Sequence, residues 1–344
     1  MYILVLKSRE PISYGEESIG IKTLIKKISI LSPERGEVVQ VPVILGNGFR
    51  GVLRDTMTNV FLEKVAEIAK SKKNKIEVDA RVLLLMLTGG ILRRRSEEQV
   101  TAKSIDNLRQ KIELLPPLNI MGFALSNVMI PSKIKVSVFY PVCNETYTLV
   151  KDLIDKVKSE TNIDFDKLSS ISVRNLIDEV QLMHKDDTSR LTNLSLPGVK
   201  LANIDQADSI RGKQVEEVQE TQRGKELEKR QRQQKERMRV RLQAIFQREY
   251  VVPGTVFIGF ISEIVPLSNA ERELLALSIK RLKENAGVGG AIARGFGSFN
   301  LEYNGLERLI PKGNSSSKLN EFIESKLNEI LEILKSNPEM WLQE

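Results

Sequence analysis

The sequence predicts an α+β protein built on a split β-α-β framework that carries long insertions. Three observations carry that expectation. A strand-like run at the N-terminus leads into an amphipathic helix and, much later, a second strand. The last third repeats the order as strand, helix, glycine-rich turn and strand. No exact internal repeat turns the chain into a solenoid.

Taken in order, Tyr2 to Lys7 reads as a strand. Residues 18–43 are mostly β-branched and apolar, broken by the turn signal Ser32-Pro33-Glu34-Arg35-Gly36. Gly46-Asn47-Gly48 opens a helix in which Phe49, Val52, Leu53, Met57, Val60, Phe61, Val65 and Ile68 recur at helical spacing. A basic turn at 70–75 closes it. Residues 79–115 are predicted helical around Thr88-Gly89-Gly90 and Arg93-Arg94-Arg95, and Pro116-Pro117 break the pattern. Residues 134–142 form a strand.

Residues 184–212 are polar with the turn-like Leu196-Pro197-Gly198, and 211–248 form a run of Glu, Gln, Lys and Arg. Helical throughout, that run would reach about 57 Å. Its apolar positions are too sparse for a coiled-coil seam. It reads either as a solvated helix or mobile excursion, or as a dedicated arm for RNA. A strand at 250–265 then precedes a helix from Asn269, a plausible N-cap. A glycine-rich turn, a strand, a polar loop and a C-terminal helix ending near Trp341 complete the chain.

Composition narrows the function. A formal charge of +7 favours an anionic partner, although 52 basic residues face 45 acidic ones and the excess is modest. The single cysteine, Cys143, sits in an apolar run and excludes both a disulfide framework and paired-cysteine zinc sites. One histidine, His184, removes every two-histidine metal site. Serine-hydrolase, P-loop and dinucleotide fingerprints are absent, so no cofactor and no metal are expected. No signal-peptide pattern or apolar run of about 20 residues is present, and a cytoplasmic protein without membrane contact is expected.

Two segments carry the candidate chemistry. In Gly46-Asn47-Gly48-Phe49-Arg50-Gly51-Val52-Leu53-Arg54, glycines open a helix start whose free N–H groups favour phosphate. Arg50 and Arg54 are four residues apart, on one helical face, where both could meet neighbouring phosphates. The second is Gly287-Val288-Gly289-Gly290-Ala291-Ile292-Ala293-Arg294-Gly295-Phe296-Gly297, where small residues admit close backbone approach and Arg294 adds charge. It follows a helix and precedes a strand, the reverse of a dinucleotide-binding loop. Each segment alone reads equally as an ordinary cap or packing turn.

Together, in this order, the two segments resemble the RAMP superfamily of CRISPR proteins, and most closely its Cas-seven-like backbone subunits of Cascade, Csm and Cmr complexes. Further counterparts are Val41-Pro42-Val43-Ile44-Leu45, Ile120-Met121-Gly122-Phe123 with Ser132-Lys133-Ile134-Lys135-Val136, a loose match at Lys185-Asp186-Asp187-Thr188-Ser189-Arg190, and Val252-Pro253-Gly254-Thr255-Val256-Phe257. The resemblance spans about residues 1–305.

It implies an RRM-like ferredoxin core, the palm, at 1–60 and 250–305. Helical fingers would occupy 61–133, the strand return, thumb and basic insertion 134–249, and a C-terminal helical tail 306–344. Copies would stack along guide RNA (crRNA) with other effector subunits, gripping it through its backbone while its bases pair with target nucleic acid. The expected RNA contacts are Asn47, Gly48, Arg50, Arg54, Arg93, Arg94, Lys185, Arg190, Gly289, Gly290, Arg294, Gly295 and Gly297. The low aromatic content fits a chain without the aromatics by which ordinary RRMs stack bases.

One departure bears on catalysis. RNA-cutting Csm and Cmr backbones carry an aspartate in a loop shortly before the first glycine motif, and Ser32 stands in its place here. Serine cannot supply that carboxylate, so a non-cleaving scaffold without catalytic residues is expected. A ribonuclease relying on Glu34 or His184, or an RNA-binding protein outside CRISPR, are the rival readings.

Overall fold

The computed structural model describes residues 1–19, 21–32, 36–91, 101–185, 243–285, 287–311 and 317–342. Its first strand, β1 (Tyr2–Ser8), buries Ile3, Leu4, Val5 and Leu6 consecutively. Such a run requires a sheet covered on both faces.

Two hairpins follow, from β2 (Gly15–Ile19) and β3 (Lys22–Ile25), and from β4 (Lys27–Ser32) and β5 (Glu37–Pro42). The long helix α1 spans Gly46–Ser71. Next come α2 (Ala80–Thr88), β6 (Gly90–Ile91), α3 (Ala102–Glu113), α4 (Pro116–Met121), β7 (Phe123–Leu125) and β8 (Val128–Ile130). Short strands β9 (Ile134–Val136) and β10 (Tyr140–Pro141) precede α5 (Tyr147–Val157) and α6 (Phe165–Leu168). The chain continues through β11 (Ile177–Lys185), β12 (Gln243–Val251), β13 (Val256–Glu263), α7 (Asn269–Asn285), β14 (Phe299–Asn304) and α8 (Lys318–Lys335).

The central sheet runs in the order β10–β13–β1–β14, with β9 also pairing with β13, and every pairing is antiparallel. If β9 and β10 count as one interrupted strand, the sheet has the 4-1-3-2 order of a split β-α-β fold, with α1 and α7 as its crossovers. The chain is thus α+β with an RRM-like core.

Period-2 alternation divides the central strands between two cores. Leu4, Leu6, Phe257 and Ile261 join α1 and α7 on one face, together with Phe49, Leu53, Leu274 and Ile279. Ile3, Val5, Val256 and Ile258 face the other way, onto Val150, Ile154, Val157 and Phe165 of α5 and α6.

The described chain divides into two compact units: residues 1–180 with 248–344, and residues 181–247. In the second unit the described residues are the outer ends of β11 and β12. Those of the 211–248 charged run that are described, from Gln243 onward, are strand rather than helix. The rest of that run, like Leu196-Pro197-Gly198, lies outside the described residues.

Two local readings change. Helix α1 runs unbroken through residue 60, where the sequence suggested passing from palm to fingers. Asn269 is the first helical residue and Ser268 is the cap. The Ser268 hydroxyl accepts the Glu271 N–H (3.2 Å) and the Glu271 carboxylate accepts the Ser268 N–H (2.8 Å). This is a capping box, and buried Glu271 also accepts from Asn119 and Lys133, both at 2.9 Å.

Helix α8 is part of the main core rather than an appended tail. Leu319, Ile323, Leu327, Ile330 and Leu334 are buried with Trp341 in the cluster that includes α1.

Candidate nucleic-acid interface

In an ordinary RRM the free sheet face presents aromatics to RNA bases. Here that face is sealed by α5 and α6. The two glycine motifs lie instead at a helix start and in a loop.

The first motif packs tightly because its glycines leave no alternative. A Cβ at Gly46 would stand 2.9 Å from the Ser137 carbonyl oxygen and closer still to that of Val136. A Cβ at Gly48 would overlap the ring of Tyr14. The first turn of α1 has no side-chain cap and no acidic residue, and Asn47 there is exposed. This end of the helix keeps its positive dipole uncompensated.

The second motif is laid on the segment that carries Tyr14. Gly290 N–H donates to the Ser13 carbonyl (2.8 Å) and Gly297 N–H to that of Pro11 (2.8 Å). Gly289 has φ +90°, and a Cβ there would lie 2.6 Å from the Ser13 oxygen, so only glycine fits. Ile292–Arg294 form a single tight turn flanked by Ala291 and Gly295, both left-handed. Ile292, Ala293, Arg294 and Gly295 are exposed.

Pro11-Ile12-Ser13-Tyr14 therefore joins the two motifs: Gly48 lies under Tyr14, and Gly289 and Gly290 rest on Ser13. Residues from opposite ends of the sequence form one surface. Sequence reading missed Ser13, Tyr14 and Arg248, whose Nη1 donates to the Ser13 Oγ at 3.2 Å. No motif marks them.

Arg50 and Arg54 share a face of α1, as their spacing predicts, but that face turns toward the protein. Arg50 donates to the Met121 carbonyl (2.7 Å), and Arg54 to those of Met121 (3.2 Å) and Gly122 (3.1 Å). Two cations thus sit at the C-terminal end of α4. Burial lowers the pKa of both guanidiniums, and the neighbouring Arg50 charge lowers Arg54 further. The Nε of Arg50 and Nη1 of Arg54 are buried without a hydrogen-bond partner among the described residues.

Lys185 and His184 lie at the outer end of β11, and Arg93, Arg94 and Arg190 lie outside the described residues. So does Glu34. Ser32 ends β4 as a buried residue, its carbonyl accepting the Gly36 N–H at 2.8 Å.

Elsewhere, a concavity of about 550 Å³ runs along β14. Lys156, Lys280 and Arg308 line it beside Glu160, Glu302 and Glu307, a balanced set that exerts little net pull on an anion. Among the described residues no cluster of three or more His, Cys, Asp or Glu could hold a metal. No described helix is long and apolar enough to cross a membrane.

A family model of the RAMP superfamily covers residues 25–300, a span that includes both glycine motifs. The fold resembles a chain of a structure described as "Type IV-B CRISPR Complex" with a TM-score of 0.51 and 14% identity, over 93% of this chain and 96% of that one. No curated protein matches the sequence significantly.

Proposed function

The chain belongs to the RAMP superfamily, and on that premise we propose that it is a guide-RNA-binding backbone subunit of a CRISPR interference complex. The observation that carries the reading is the joining of both glycine motifs by Ser13 and Tyr14. A surface of small residues, the uncapped first turn of α1 and exposed Arg294 suits the repeating sugar-phosphate chain and leaves bases free. The fold-level likeness to a chain from a Type IV-B CRISPR complex, extending over nearly the whole of both chains, supports a place in such an assembly.

In this reading copies of the chain stack along the guide beside other effector subunits, in the cytoplasm. The subunit grips RNA without cutting the target. Its support is the residue at position 32, a serine whose hydroxyl offers no carboxylate for metal binding or proton transfer.

The test is to express the full chain with guide RNA, isolate it by size exclusion, and add labelled complementary RNA with Mg²⁺. Co-elution at a fixed number of nucleotides per subunit, with target intact, is the expected result. Regular cuts lost on Glu34→Ala or His184→Ala would replace the scaffold by a nuclease. A peak free of RNA would remove the guide-binding reading altogether.

A further inference from the structure

Arg248 lies at the point where β12 meets the joined glycine motifs. Alternation along the strand sends neighbouring side chains to opposite faces. Glu249 takes the first face, where it accepts from Lys27 (3.0 Å) and the Ile25 N–H (3.2 Å). Arg248 and Tyr250 take the second, where Tyr250 meets Phe296 of the glycine-rich loop edge-on at 6.3 Å.

On that face the guanidinium of Arg248 has a fixed position and an unspent charge. Its Nη1 donates to buried Ser13 Oγ. A Cβ at Gly290 would lie 3.4 Å from the same nitrogen, an ordinary contact distance that places the exposed loop directly beside the cation. No carboxylate pairs with Arg248 among the described residues. A guanidinium has five N–H donors in a planar fork, and one bond to a hydroxyl leaves most of them free.

We propose that Arg248 is a phosphate ligand of the RNA path, delivered by β12 onto the floor made by Ser13 and Gly290. The ligand class is the phosphodiester backbone of single-stranded RNA. Ser13 anchors one nitrogen of the fork, and the close packing of Gly289 and Gly290 on Ser13 sets the glycine-rich loop beside it. The inference rests on the reading of the chain as an RNA binder and adds the cation that the sequence motifs did not contain.

The test measures binding of a fluorescein-labelled single-stranded RNA to the full chain across a salt series. Wild type, Arg248→Gln, Ser13→Ala and Lys326→Gln are compared, the last making the same charge change on α8. Loss of one phosphate contact on a single strand lowers the slope of log K against log salt by about 0.7. Arg248→Gln is expected to show that fall and to bind about tenfold more weakly at low salt. Ser13→Ala should weaken binding with the slope retained, and Lys326→Gln should change neither.

An Arg248→Gln slope equal to wild type overturns the proposal and leaves Arg248 as a strap for the loop. A wild-type protein that takes up no RNA refutes the RNA-binding reading itself, so the two failures separate. Should the glutamine variant not fold, wild-type protein is treated with phenylglyoxal with and without RNA and its arginines mapped by mass spectrometry. Protection of Arg248 supports the contact, and equal modification overturns it.

Discussion

Gly89 lacks a side chain where one would overlap the guanidinium of Arg54. It ends α2 in the left-handed conformation, φ +72°, while Arg54 reaches past it to the carbonyls that end α4. One cation on α1 is thereby hydrogen-bonded to the C-terminal end of α4 and packed against that of α2. Arg54→Gln is expected to cost about 1.5–3 kcal/mol, as loss of charge-assisted bonds does. Gly89→Ala should cost about 1–3 kcal/mol through backbone strain and displacement of the arginine. Urea denaturation measures both. An Arg54→Gln protein of unchanged midpoint but flattened RNA salt dependence would return this arginine to the phosphate path.

A second prediction concerns acid stability. Arg272 grips Glu263 with two bonds of 2.8 Å, and Tyr2 and the Leu267 N–H add a third and fourth donor. The Arg272 bonds lead in holding the Glu263 carboxyl at about 2, against an ordinary 4.5. The unfolded chain therefore takes up this proton first as pH falls. The stabilisation is complete above about pH 5 and is lost as pH drops toward 2, by no more than about 3 kcal/mol. Urea midpoints measured across that window should fall more steeply for wild type than for Glu263→Gln. Parallel curves would show that the cluster does not set acid stability.

Cys143 should be chemically silent in the folded protein. It is fully buried, and burial pushes its thiol up to about 11, with the Thr146 hydroxyl opposing. Thiolate, the reactive form, is then scarce at neutral pH. Maleimide labelling should be negligible in buffer and complete in denaturant. Rapid labelling of native protein would place this region in a readily opening segment.

The first strand of the central sheet and the helix after it were legible because their signals are local. Four consecutive apolar residues in β1 announce a strand buried on both faces, and the helical spacing from Phe49 to Ile68 announces α1. The glycines of both motifs were legible for a similar reason, since close packing admits no substitute at Gly48 or Gly289. The direction of Arg50 and Arg54 was not, because i,i+4 spacing tells that two residues share a face and not what that face meets. Ser13 and Arg248 were invisible for want of any sequence link. They meet only because the bridge between Ile12 and Val251 brings two distant segments side by side.

The final prediction exploits the chain's single tryptophan. Trp341 is 1% exposed and donates to the Ser336 hydroxyl at 2.7 Å, just beyond the end of α8. The other end of α8 is held from α7 by buried Glu273. Its carboxylate accepts the N–H groups of Lys318 (2.7 Å) and Leu319 (3.2 Å) and the Ser317 hydroxyl. A carboxylate there satisfies orphan donors and complements the helix dipole, as a side chain from α8 itself would. Glu273→Ala removes those acceptors and should release α8 by about 1–3 kcal/mol, with Glu273→Gln milder because its amide oxygen still accepts. Trp341 fluorescence should then red-shift at lower urea than the far-ultraviolet circular dichroism of the whole chain. Coincident transitions in the alanine variant would mean that α8 unfolds only with the central sheet, and that the Glu273 cap contributes to global stability alone.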